Sequence, residues 1–228
     1  MRLAVPVIVC ACLLVAAPAS PQTPGPASFR IYEKGKMVGT METAVERTAD
    51  GWRVRGSSRF AGSVPVTIPN LDLYYDRSWR GRFMTLEMKA PDDAIVHVAV
   101  VGETTRTDIV RATEARFRSN SVSPDTIFVP ERAYGAYEAV AARLAAAVPV
   151  ADLPLFIPPF GETRMLIVDV VDEVVKTAQG SIAARRYSLT ELRQRPTPVE
   201  VWVADGRLLR LELPRESLVV VRSDIAGP

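Results

Sequence analysis

The sequence predicts a mainly β protein (α+β): a curved antiparallel sheet, or half-barrel, of about twelve strands wrapped round one central helix. Three observations carry that expectation. Period-two alternation recurs along the chain, most clearly in Trp52–Phe60. Short turn signals separate the alternating runs, among them the hairpin pairs Asp50-Gly51 and Asp205-Gly206. Only one stretch, Glu131–Ala147, has convincing helical spacing. Short links imply antiparallel neighbours, because parallel pairs need long crossovers.

The elements follow in order. Ser28–Glu33 alternates, with Phe29 and Ile31 on one side, and Lys34-Gly35-Lys36 turns the chain into Met37–Thr48. In Trp52–Phe60 the residues Trp52, Val54, Gly56, Ser58 and Phe60 face one way, while Arg53, Arg55, Ser57 and Arg59 face the other. Four such polar residues require water on their side, so the sheet has one wet face. Val64–Tyr75 is a strand that Pro65 and Pro69 bend or confine to an edge. Arg82–Lys89, Ile95–Val101, Thr104–Ala112 and Glu114–Ser121 form a meander whose later strands are polar on both faces, as a rim is.

Ile127–Phe160 organises the rest. Pro130 suits the first helical position, where its missing N–H has no partner. Glu131 opposes the positive end of the helix dipole. Tyr134, Tyr137, Ala141, Leu144 and Val148 share a face, and eight of the 17 residues from Glu131 to Ala147 are alanine. Pro149 ends the helix. The apolar loop Val148–Phe160 carries four prolines, which forbid regular ladder pairing, and one charge, Asp152. A loop this apolar plugs one end of the sheet as core, covers a hydrophobic ligand, or docks on a protein. After it come the strands Thr163–Val175, Ser181–Leu192, Val199–Ala204, Arg207–Pro214 and Leu218–Asp224.

Residues 1–19 read as a signal peptide. Arg2 supplies the positive start, Leu3–Ala17 the apolar run, and Ala17-Pro18-Ala19 the small-x-small site, with cleavage expected after Ala19. The protein is therefore expected to be secreted or periplasmic, with no transmembrane segment after cleavage. Residues 20–26 are an expected disordered proline-rich segment, 27–225 a single domain, and 226–228 a tail.

Cleavage leaves 209 of the 228 residues and removes both cysteines, Cys10 and Cys12. Disulfides, cysteine metal sites and cysteine nucleophiles are thereby excluded from the mature chain. Without Arg2 the balance is 27 basic against 26 acidic side chains, which gives no pull toward nucleic acid.

Catalytic patterns are sparse. The sole histidine, His97, lies in a strand and reads as half-exposed. One histidine does not supply a histidine-based metal site, since such sites use three or four ligands. No Gly-x-Ser-x-Gly motif and no phosphate-cradling glycine loop is present. Asp169 and Glu173 share a strand face, with Asp172 opposite, but Arg185 and Arg186 on the next strand suit cross-strand ion pairs. No catalytic residue, metal or cofactor is expected.

Four features carry a resemblance. They are Phe29-x-Ile31-x4-Lys36-x2-Gly39, the step Tyr74-Tyr75-Asp76-x-Ser78-Trp79, the helix with its proline-rich loop, and the ending Trp202-Val203-Ala204-Asp205-Gly206-Arg207-Leu208-Leu209-Arg210. Together they resemble uncharacterised secreted bacterial proteins with a curved sheet round a helix, an architecture similar to that of the LolA-type lipoprotein carriers. The resemblance implies a shell for acyl chains.

The expected function is therefore non-catalytic: sheltering a lipid, an acyl chain or another hydrophobic ligand between sheet and helix. The expected ligand-facing residues are Tyr74, Trp79, Tyr134, Tyr137, Leu144, Leu153, Leu155, Phe156, Ile157 and Phe160. Two alternatives stand beside it. One is a module docking on an envelope protein partner through residues 148–160. The other is a secreted hydrolase using carboxylates.

Overall fold

A computed structural model describes residues 22–89, 93–146, 151–193 and 195–227. The first half is a continuous meander: β1 (Gly25–Glu33), β2 (Lys36–Arg47), β3 (Gly51–Phe60), β4 (Val66–Asp76), β5 (Gly81–Lys89), β6 (Asp93–Val101), β7 (Thr104–Arg111) and β8 (Ala115–Ser121). Next come the short β9 (Ile127–Phe128), the helix α1 (Tyr137–Leu144) and β10 (Asp152–Ile157). The chain ends with β11 (Gly161–Thr177), β12 (Gly180–Glu191), β13 (Thr197–Ala204), β14 (Arg207–Leu213) and β15 (Leu218–Arg222).

All 15 strands form one sheet, in the order β8 to β1, then β15 down to β9. The two halves join where β1 pairs with β15, Ile31 opposite Val220. Neighbours are antiparallel except β9 and β10, which run parallel. Open sheets beyond about ten strands curl under their own twist, and this one curls until its ends approach. Gly81 on β5 donates its N–H to the Thr126 carbonyl at 2.8 Å. Ser123 donates its N–H and its hydroxyl to Glu162 at the start of β11, both at 2.6 Å.

Alternation sorts the side chains as the sequence predicts. Val54, Ser58 and Phe60 are buried on the concave face, while Arg55, Ser57 and Arg59 meet water. Asp205 and Gly206 both adopt positive φ, at 49° and 70°, the geometry of a tight two-residue hairpin. On the convex face a small second core gathers Ala184, Trp202, Leu209, Val221 and Ile225, with Arg210 over the Trp202 ring.

The helix lies within the curl, as expected, but it is shorter. Pro130 begins a turn rather than the helix, with Arg132 at φ 61°. A single 3-10 turn, Tyr134–Ala136, leads into α1. The turn lies against β2 and β3, and α1 lies against β13 and β14. Almost every residue of the two is buried, so the helix presents no polar outer side. Its one acid on that side, Glu138, is fully buried, and the Glu138 carboxylate accepts hydrogen bonds from Thr43, Arg207 and the Leu208 N–H. Tyr187 donates its hydroxyl to the Leu144 carbonyl at 2.9 Å, closing the far end of the helix. Ala147 and Val148–Val150 lie outside the described residues.

Four further expectations change. The sheet has fifteen strands instead of about twelve, chiefly because β9 and β10 were not foreseen. Residues 152–157, expected within a loop, form β10, with Leu155 opposite Thr163 on β11 and Ile127 on β9. Pro154 costs that strand one donor, yet the ladder on each side of it holds. Pro69 sits inside β4, not at an edge. The β3–β4 register shifts between Gly56 and Ser58, so no β3 residue lies opposite Pro69. At the start, Gly25 and Pro26, expected to be disordered, belong to β1. The signal segment lies outside the described residues.

Candidate functional site

One mouth of the curled sheet holds a hollow of about 370 Å³, between the start of the helix and the strand ends around it. Its wall is apolar: Val38 and Phe60 from the first half, Val129 before the turn, Leu155 and Ile157 from β10, and Val199, Leu213 and Leu218 from the last strands. Alternation places these side chains on the concave face, and the curl brings them to one end. Tyr134 and Tyr137 form its floor, one 3-10 turn apart.

Charged groups ring the opening. Glu33 accepts hydrogen bonds from the Ser63 hydroxyl at 2.5 Å and the Ser63 N–H at 2.8 Å, and these hold its carboxyl below the usual range. Arg193 joins Glu131, at 2.8 Å, to Glu191. Desolvation works against the Arg193 charge, but the two carboxylates more than offset it and raise its pKa. Glu216 lies on the opposite lip, where desolvation and then Glu131 push its carboxyl up against the lowering effect of Arg132. Among the described residues neither Arg132 nor Glu216 is in an ion pair.

Tyr134 and Tyr137 are 4% and 7% exposed. Burial raises both phenols well above their ordinary value, so they stay protonated and able to donate. Among the described residues neither hydroxyl has a hydrogen-bond partner. The buried Tyr75 differs, since it donates to the Phe128 carbonyl.

A second hollow of about 300 Å³ lies beside the first, with the Pro130–Arg132 turn as a shared wall. Val66, Leu86, Val96 and Ile109 line it from the sheet, and Phe160, 68% exposed, stands at its edge.

Of the residues expected to face a ligand, Tyr134, Tyr137, Leu155 and Ile157 meet at the first hollow and Phe160 at the second. The others lie elsewhere. Tyr74 is on the convex face, with the Arg53 guanidinium 4.9 Å over its ring. Trp79 is buried and stacked on Trp52 at 5.0 Å. Leu153 and Phe156 are fully buried core, and Leu144 is at the other end of the helix. The residues that sequence reasoning missed, notably Val38, Glu33, Arg193 and Glu216, come from strand ends and turns far apart in the chain. Alternation marks which of them face inward, but not which end of the sheet each occupies.

Of the carboxylates considered for catalysis, Asp169 is exposed and in no ion pair among the described residues, while the other two are engaged. Asp172 pairs with Arg185, and Glu173 with Arg186, each at 3.1 Å, while Glu173 also accepts from the Trp202 indole at 2.8 Å. His97 lies within 3.2 Å of the Thr85 hydroxyl and stacks on Phe83. Among the described residues no group of three or more His, Cys, Asp or Glu side chains is arranged to hold a metal. No helix among them is long and apolar enough to cross a membrane.

No family model matches the chain. No curated protein matches it either. Among solved structures it is similar to a β-barrel-like protein of a domain of unknown function, DUF1849, from Brucella abortus. The TM-score is 0.60 at 7% identity, over 92% of this chain and 100% of that one. At that identity the likeness shows a common fold: a β-rich, barrel-like curl.

Proposed function

We propose that this protein is a non-catalytic binder of a small amphipathic molecule in the cell envelope, holding it in the hollow over Tyr134 and Tyr137. The observation that carries this reading is a hollow of about 370 Å³ with an apolar wall, a charged lip and two polar groups at its floor. Small-molecule sites have this make-up and span roughly 300–1,000 Å³. The ligand lies at the mouth, beside the buried start of the helix. Each methylene removed from water contributes about 0.8 kcal/mol, so a short chain supplies useful affinity after ordering costs. The envelope location rests on the signal-like segment Arg2–Ala19. The carrier-like comparison rests on architecture alone, a sheet curled round a helix.

Organic extraction of the protein purified from its own envelope, followed by mass spectrometry, tests the reading. The expected result is a stoichiometric amphiphile, absent from a control protein of similar size. A clean extract, together with no uptake of any apolar fluorescent probe, would contradict it.

A further inference from the structure

We infer that the ligand of the mouth hollow is electrically neutral and carries a hydrogen-bond-accepting carbonyl, as an ester or amide does, which Tyr134 and Tyr137 hold. This rests on the binding reading above and specifies the chemistry of the same site.

Both phenols are more than nine-tenths buried and line the hollow. Neither oxygen is closed off from solvent and both residues line the hollow, so the hydroxyls open into it. The charges around them line the same opening: Glu216, Arg132, Glu33 and Glu131 near Tyr134, and Glu191, Glu216 and Arg193 near Tyr137. The other two deeply buried tyrosines follow the usual rule that a buried hydroxyl is satisfied: Tyr75 donates to Phe128 and Tyr187 to Leu144. Tyr134 and Tyr137 have no protein partner among the described residues, and both hydroxyls, open onto the same hollow, lose water when a ligand enters it.

Three head groups compete for that space. An ammonium is attracted by the excess of carboxylates but accepts no hydrogen bond, so both phenol protons stay unmatched. A carboxylate accepts, but it meets Glu33, Glu131, Glu191 and Glu216 against two guanidiniums, and Arg193 is already shared by Glu131 and Glu191. A neutral carbonyl has two lone pairs for two donors and adds no charge. Its apolar chain lies against Val38, Phe60, Val199 and Leu218.

Titration calorimetry with methyl decanoate, decanoic acid and decylamine near neutral pH separates the three. The ester is expected to bind at least about fivefold more tightly than either charged analogue, the worth of roughly one hydrogen bond. Tyr134→Phe and Tyr137→Phe are each expected to weaken the ester by a similar factor and to leave the thermal midpoint undiminished. Acid or amine binding as tightly as the ester overturns the inference and leaves the hollow a binding site. An ester preference that survives both substitutions also overturns it. Failure of all three to bind overturns the binding reading as well. Should a Tyr→Phe variant unfold, the ranking of the three ligands on the unaltered protein decides.

Discussion

Glu138 and Arg207 meet inside the curled sheet through two parallel hydrogen bonds, Nε to Oε2 and Nη2 to Oε1, both 3.0 Å. The Glu138 carboxylate also accepts from the Thr43 hydroxyl at 3.0 Å and the Leu208 N–H at 3.1 Å. Arg207 reaches on to the Thr23 carbonyl at 3.1 Å. One ion pair thus ties the helix to β2, to β14 and to the segment entering β1. Every oxygen and nitrogen in it is matched, which is the condition for tolerating a buried charge.

Removing either partner leaves the other charge buried and alone. Glu138→Ala is expected to destabilise the fold by about 3–5 kcal/mol, and Arg207→Ala by a similar amount. The double substitution Glu138→Leu with Arg207→Met is expected to recover much of that loss. Urea denaturation of the four proteins checks both statements. Equal losses for single and double variants would show that the pair acts only through packing.

Gly81 marks where the end strand β9 lies against β5. A Cβ there would lie 2.8 Å from the Phe128 ring, a contact that β9 must move to relieve. Gly81→Ala is expected to cost about 1–3 kcal/mol and to speed amide exchange at Gly81 and Phe128. An unchanged denaturation midpoint would mean that β9 is not held in this position.

Alkaline pH should unfold this protein early. Burial raises the phenols of Tyr75, Tyr134 and Tyr137 above their ordinary value of 10.0. A raised pKa in the folded state means stability that is complete below the unfolded value and falls as pH climbs past it. Each phenol then removes about 1.4 kcal/mol per pH unit above roughly pH 10. Urea midpoints measured from neutral pH upward, with the tyrosine absorbance followed in parallel, should show these phenols ionising only on unfolding. Ionisation of all six tyrosines near the ordinary value in folded protein would contradict it.

Much of the fold was legible because its causes are local. Alternation in Trp52–Phe60 and the Asp205-Gly206 turn depend on neighbours along the chain, and both hold. The failures come from long-range terms. Pro154 argued against a strand, but β9 and β11 flank residues 152–157, and burying Leu153, Leu155, Phe156 and Ile157 outweighs one lost donor. Pro130 argued for a helix start, but it begins a turn, and a 3-10 turn at Tyr134–Ala136 delays the α-helix to Tyr137. The burial of Glu138 has no local signal, because its partner Arg207 is 69 residues away. At the site, Tyr134 and Tyr137 were found through helical spacing. Tyr74 was misplaced because two adjacent tyrosines in a strand must face opposite ways, and Tyr75 is the inward one. The charged lip was invisible, since Glu33, Arg193 and Glu216 meet only when β1 and β15 pair and the sheet curls.

The most direct test fills the hollow. Val38 is half-buried on its wall, in β2 at a point where the register with β1 shifts, so a larger side chain there projects into open space. Val38→Trp, titrated with an environment-sensitive apolar fluorophore beside the unaltered protein, is expected to retain its circular dichroism spectrum and lose at least about tenfold in affinity, the worth of roughly two buried methylenes. Undiminished uptake by a folded Val38→Trp variant would place binding elsewhere and contradict the account.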